Sequence, residues 1–370
     1  MNNYIPFLKL KGSEISALIA LQESERALIT PFFDFPRRDE KKTRNPLVEQ
    51  KTKEENFTSA LSSTSKRLQK KLSDLNEFYL DNYDLEDSFR PNGRGSYEQI
   101  IESFAPLGMI PVIGLDRSED HIDSIYKANE KNVFSHNRIA IRLTKDDFSS
   151  PFKLIEDEIS ELHDNILCFF TKVDLIFDCR VIGQQDVLNI ENKILDFIAD
   201  IEKNYSFNAI IITGSIIPAS IADIVKPNSV ETFSRKEISL YENVKGRYKS
   251  TAPIFCGDYT CVSPEYSDTD FFAEDLQNIM AAKVIYPFNK NGKEIQYITR
   301  GGRLKKDRTQ YITLCNEIIS HQMSFFRGHA FSFGDCFLYN TAHGIKKETV
   351  TPASITKPLI NLHIKYMISR

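Results

Sequence analysis

Apolar residues along the chain gather into short, almost unbroken runs, separated by longer stretches in which apolar and polar positions alternate at helical spacing. The runs are YIPFLKL (4–10), ALITPFFDF (27–35), EFYLDNY (77–83), GMIPVIGLD (108–116), RIAIRLT (138–144), VDLIFDCR (173–180), AIIITGS (209–215) and PIFCGDY (253–259). Continuous hydrophobicity is the mark of a strand buried on both faces. The intervening stretches carry one-sided stripes: Ile15, Leu18 and Ile19 in 12–26, Ile100, Ile101 and Phe104 in 96–107, and Leu154, Ile155, Ile159 and Leu162 in 147–165. The stripe Val187, Ile190, Ile194, Phe197, Ile198, Ile201 marks a helix in 185–204, and Ser234 opens a further helix over 234–245 as its N-cap. Strands alternating with helices predict parallel pairing through right-handed crossovers. Eight such units over about 255 residues predict an α/β fold, a (β/α)8 TIM-like barrel spanning residues 1–263. No Gly-rich turn follows the first run, so an open doubly wound sheet lacks its usual support.

Two regions depart from this rhythm. Residues 37–76 form a charged insertion after the second strand, a solvated loop at its start and an amphipathic helix in SALSSTSKRLQKKLSDL. Beyond Tyr259 the alternation stops, and residues 264–370 read as a C-terminal α+β cap. A helix over 264–282 is expected there, then a hairpin over 283–300 turning at Asn291-Gly292, then a helix over 307–323 with Asp307 as cap. The aromatic remainder is too short for its own core and should pack on the barrel.

Composition narrows the function classes mainly by exclusion. The 370 residues carry a formal net charge of −4, with 41% apolar and 26% charged positions. That balance leaves no clear nucleic-acid footprint. No stretch approaches the ~18 apolar residues of a membrane span, and the N-terminus lacks the regions of a signal peptide, so a cytoplasmic location is expected. The six cysteines show no zinc-type spacing and read as reduced thiols. The P-loop, nucleophile-elbow and dinucleotide-binding fingerprints are absent. His329, Asp335 and His343 can meet in the cap, without the spacing of a metal motif; GGRLKK (301–306) reads as a solvated basic loop.

Candidate chemistry comes from the fold. Active sites of such barrels lie at the C-terminal ends of the strands, and there the sequence places Lys9, Asp34, Asp81, Arg142, Asp178 and Asp258, with Ser215 and Tyr259 beside them; Arg327, in a tight turn of the cap, joins them as a ligand-binding candidate. Asp116, ahead of Arg117-Ser118-Glu119, reads as a turn residue. A charge inside an apolar strand is costly without a partner, so Lys9, Arg142 and Asp178 should converge. Carboxylates facing a cavity with Lys and Arg suit Mg²⁺-assisted phosphoryl chemistry, or the grip of an anion between two cations. The same set also suits plain structural ion pairing, and these readings stay open together.

An ordered series of motifs then stands out: YIPFLKLKGSE, PFFDFP, LGMIPVIGLD, IAIRL, LIFDCR, CGDY, and FSFGD followed by YNTAHG and INLHIKYMI. The series resembles the phage "Beta protein" family from Tyr4 to about Ile368. The chain departs from that pattern at Asp34 (Glu is more usual), Phe333 (Trp) and Leu362 (a second His). The resemblance implies a phage–host conflict setting, anti-phage defence included, without a defined activity. Two functions follow as expectations: an enzyme acting on a phosphorylated or nucleotide-like substrate at the barrel mouth, or a non-catalytic module recognising a phage or host macromolecule.

Overall fold

The computed structural model describes residues 4–37, 50–249, 252–266, 280–305, 307, 309–322, 324–345 and 349–370. Its centre is a closed barrel of eight parallel strands with helices between them, a (β/α)8 fold. The strands are β1 (Tyr4–Lys9), β2 (Phe32–Asp34), β3 (Phe78–Asp81), β4 (Met109–Ile113), β5 (Arg138–Thr144), β6 (Lys172–Val181), β7 (Ala209–Ser215) and β9 (Ile254–Asp258). Closure comes from β9 pairing with β1 in parallel, with Tyr4 opposite Cys256.

The apolar runs are unbroken because each strand buries both faces. Inward positions build one cluster: Ile5, Phe7, Phe32, Tyr79, Ile110, Val112, Ala140, Ile176, Ile211 and Tyr259. Outward positions such as Leu8, Phe33, Leu80, Ile141, Phe177 and Ile212 join the larger core beneath the helices. Phe7 stacks on Phe32 at 4.3 Å between ring centroids. Gly257 makes room for it, since a Cβ there would lie 2.7 Å from the Phe7 ring. Below this layer the barrel floor is polar: Asp174 accepts from Arg138 (2.5 Å), Tyr79 (2.8 Å) and Asn208 (2.8 Å).

One strand escapes the sequence pattern. Residues Ser229–Ser234 form β8, which leaves the barrel and pairs antiparallel with β11 (Lys293–Arg303). β11 forms a hairpin with β10 (Ala281–Lys290), so the three make a separate sheet. The hairpin turns at Asn291-Gly292 as expected, with both residues at positive φ (52° and 80°). The helix expected over 307–323 is Gln310–Ile319, and the tail adds helices Phe333–Ala342 and Pro352–Ile368. The last two helices touch closely: a Cβ on Gly334 would stand 2.0 Å from the Pro358 carbonyl oxygen.

The insertion holds a helix over Lys53–Lys71, opened by a capping box in which Thr52 accepts from Glu55 N and Glu55 accepts from Thr52 N. It buries Phe57, Ala60, Leu61 and Leu68. The charged start of the insertion (38–49) and most of the helix expected over 264–282 (267–279) lie outside the described residues. Helices 12–26 and 147–165 are each divided, into Gly12–Ile19 and Glu23–Arg26, and into Lys145–Ser149 and Glu156–Asn165. Ser234 ends β8 and Arg235 takes the N-cap of helix Lys236–Arg247. Among the described residues, no helix is long and apolar enough to cross a membrane.

Candidate functional site

Inward-facing positions change from apolar to charged at the last turn of the barrel. Lys9, Asp34 and Asp81 end their strands in register, Lys9 opposite Asp34 and Asp34 opposite Asp81. Two carboxylates side by side need a cation, and Arg142 reaches across from β5 to supply it. Its Nη1 donates to Asp34 (2.6 Å) and Asp81 (2.8 Å); Nε and Nη2 donate to Asp178 (3.1 and 2.6 Å); Nη2 also donates to the Tyr259 hydroxyl (3.0 Å). These bonds use all five donors of a guanidinium. Arg142 is fully buried, as are Asp81 and Asp178. The sequence expectation that Arg142 and Asp178 meet holds; Lys9 instead pairs with Asp84 at 2.5 Å.

The electrostatics separate the three aspartates. Burial pushes against ionisation at Asp81, but Arg117 and Arg142 outweigh it and hold the carboxyl below its usual range. Asp178 is likewise held low against burial by Arg142 and Arg180. At Asp34 burial wins and the pKa is raised, Arg142 notwithstanding. Its Oδ2 is buried and finds no hydrogen-bond partner among the described residues. Asp34 is therefore the mouth carboxyl best suited to hold a proton.

This contrast predicts a mutational split. Asp178 accepts four hydrogen bonds, two from Arg142, one from the Tyr259 hydroxyl and one from Arg180 N. Asp178→Asn should therefore lose about 3 kcal/mol, the scale for breaking a buried pair. Asp34→Asn keeps a neutral isostere where the fold already favours the neutral form, and its melting temperature should hold or rise. Equal losses in the two variants, read from thermal melts at neutral pH, would sink this account.

Above the aspartates lies a rim that the strand pattern does not reveal. Arg117 donates to both oxygens of Asp81 (2.9 and 3.1 Å). The Tyr83 ring lies amid three guanidinium groups, 4.5 Å from that of Arg142, 4.7 Å from Arg180 and 5.3 Å from Arg117. Arg180 follows β6's Asp178 in left-handed backbone (φ 52°), a conformation unusual outside glycine, with its N–H on Asp178 Oδ1. Thr260 repeats this turn after β9 (φ 55°), its N–H on Asp258 Oδ1. From Thr260 the chain crosses the mouth as a strap to Tyr266. The Pro264 carbonyl oxygen accepts from Lys9 Nζ and from Arg180 Nη2, each at 2.9 Å.

Several candidates lie elsewhere. Asp258 faces out of the barrel, where it binds Arg235 (2.6 Å), His363 Nε2 (3.0 Å) and the Tyr4 hydroxyl (2.6 Å) beneath the C-terminal helix. Side chains alternate along a strand, so Gly257 and Tyr259 point inward and Asp258 cannot. Ser215 is buried and accepts from Ile217 N, a local turn. Arg327 lies away from the mouth: it donates to the Pro287 carbonyl (2.6 Å) and packs on the rings of Tyr286, Phe331 and Tyr366. His329 and His343 both stack on Tyr339, while Asp335 turns away to the Tyr286 hydroxyl (2.6 Å). Cys179, Cys256, Cys261 and Cys315 are buried free thiols.

Among the described residues, no group of three His, Cys, Asp or Glu side chains is placed to hold a metal ion. At the mouth the reason is visible: the point where Asp34, Asp81 and Asp178 converge is taken by the Arg142 guanidinium. The donor set as folded fits that cation and not Mg²⁺.

Comparison with known proteins bears on family alone. No curated protein matches the sequence. The family model described as Beta protein matches residues 4–369, nearly the whole length, and the chain belongs to the Beta protein family.

Proposed function

We propose that the barrel mouth binds a phosphorylated or nucleotide-like anion between Lys9 and Arg180. The observation that carries this reading is the Pro264 carbonyl: two cations from β1 and from the end of β6 converge on one uncharged oxygen, at 2.9 Å each. An anionic oxygen in that position would keep both hydrogen bonds and add ion pairing with the two cations, which a neutral carbonyl cannot offer. Arg142, the second cation expected from the sequence, has its donors committed to aspartates, so Arg180 takes that part. Lys9, Arg117, Arg142 and Arg180 face Asp34, Asp81, Asp84 and Asp178, and each proton taken up by Asp34 leaves the mouth with surplus positive charge.

The free oxygen of Asp34 favours a second reading, catalysis at the same site with Asp34 as general acid or base toward the bound anion. Family membership supports a phage–host conflict setting for either, with a phage or host macromolecule as the alternative occupant of the mouth or the cap.

Thermal-shift titration with inorganic phosphate and nucleotides tests the first reading. A ligand at a hundredfold its Kd should stabilise the wild type by about 2.7 kcal/mol, and Arg180→Gln should lose that shift. Millimolar Mg²⁺ alone should leave the melting temperature where it is. A shift produced by Mg²⁺ alone, or no shift with any anion, would overturn the proposal.

A further inference from the structure

The strap does more than place one carbonyl. Two residues on, the Tyr266 ring lies 4.2 Å from Lys9 Nζ, 4.3 Å from the Arg37 guanidinium and 5.2 Å from Lys11 Nζ. Its hydroxyl donates to Asp84 Oδ2 at 3.1 Å, the same oxygen that receives Lys9. The chain thus lays a planar ring against three cations, points a hydrogen-bond donor at a carboxylate and sets an oxygen between Lys9 and Arg180. Ring and oxygen are both within reach of one ammonium, so they sit close together.

Resting on the anion reading above, we propose that Pro264–Tyr266 occupies the ligand's own place, and that the ligand is a compact planar ring bearing an anionic group, of the nucleoside monophosphate class. A nucleobase would take the Tyr266 position over Lys9 and Arg37, with a ring N–H or amino donor on Asp84. Its phosphate would take the Pro264 oxygen's position between Lys9 and Arg180. Recognition by ring and anion together explains why the rim is aromatic as well as basic, since cations hold π-faces and phosphate oxygens alike. The strap is then a built-in competitor, displaced when ligand arrives. Thr260 at its root is held in left-handed backbone (φ 55°), a conformation unusual outside glycine.

Calorimetric titration of full-length wild type, Tyr266→Ala and Tyr266→Phe with AMP, UMP, ribose 5-phosphate and inorganic phosphate tests this. Tyr266→Ala should bind the nucleoside monophosphates at least tenfold tighter than wild type, and at least tenfold tighter than it binds ribose 5-phosphate. Tyr266→Phe, which keeps the ring but loses the bond to Asp84, should gain less; it carries the test if the alanine variant folds poorly. Equal nucleotide affinity in wild type and both variants would overturn the strap as competitor. Equal gains for ribose 5-phosphate and nucleotides would overturn the ring's part and leave the anion site standing. Folded variants that bind none of the four would overturn the anion reading itself.

Discussion

Replacing Arg142 with Met should cost about 3–5 kcal/mol of stability, the scale for removing one partner from a buried ion cluster, and roughly 4–6 °C in Tm. The side chain is fully buried and holds three carboxylates and a tyrosine hydroxyl on five hydrogen bonds. Methionine fills much of the volume but leaves Asp34, Asp81 and Asp178 converging in the barrel with no central cation. Arg117 still reaches Asp81 at 2.9 Å and Asp34 is the carboxyl readiest to take a proton, so the loss falls hardest on Asp178, whose remaining cation, Arg180, lies 3.8 Å away. Arg142→Lys should recover little, because an ammonium presents three donors from one point and cannot span carboxylates on β2, β3 and β6 together. Adding Asp178→Asn to Arg142→Met should cost less than the two single losses combined, since the partner left stranded is then neutral. Denaturant and thermal melts at neutral pH on the wild type, the three single variants and the double variant read these losses. A loss below 1 kcal/mol for Arg142→Met would mean that water reaches these aspartates, and the closed mouth would have to be abandoned.

How far this cluster was legible depends on which physical rule each residue obeys. β5 and β7 were readable to the residue, because strands buried on both faces admit nothing but apolar side chains until the barrel ends. The same rule exposed Lys9, Asp34, Asp81, Arg142 and Asp178 as charges that need partners. It could not say which partners, since a guanidinium reaches across the barrel and its choice depends on closure. Asp258 shows the other weakness. A run buried on both faces hides which face each residue takes, and an offset of one position carries a side chain from the mouth to the outer core. Arg117, Tyr83, Asp84 and Tyr266 were invisible as a group because they lie beyond strand ends, where spacing along the chain says nothing of position in space, and Arg180 because an irregularity between Asp178 and Val181 breaks the alternation of β6. β8 was missed for a related reason. SVETFS is short and half-exposed, and its partner β11 begins some sixty residues later.

Lowering the pH from 7 to 5 should remove about 2 kcal/mol of stability through the buried His121, and His363, whose pKa is also lowered, adds to the loss in the same direction. His121 stacks on Tyr97 at 3.9 Å and shares a bond with the Val112 carbonyl (2.9 Å). Burial and the nearby Arg117 push its pKa down to about 3, against the opposing pull of Asp81. His363 lies beneath the C-terminal helix, facing Asp258, Arg235 and Arg327. Burial lowers its pKa and outweighs the attraction of Asp258, with both arginines adding to the depression. In the unfolded chain each imidazole takes a proton near pH 6.5. The folded protein does not, so the stability is whole above that value and drains away as the pH falls. Once the unfolded chain is protonated, His121 contributes about 1.4 kcal/mol per pH unit until the pH nears its own folded pKa of about 3. Asp34, raised by burial, works the other way: its contribution is present at low pH and lost as pH rises through its folded pKa. It therefore softens the decline only near the carboxylate range. His121→Gln should remove the larger part of the slope between pH 6 and 5, and His363→Gln should also lower it, whatever each costs at pH 7. Thermal melts across pH 5–8 supply the measurement. A wild-type Tm that stays level over that range would show that neither imidazole is held neutral by burial, and this account of both histidines would fall.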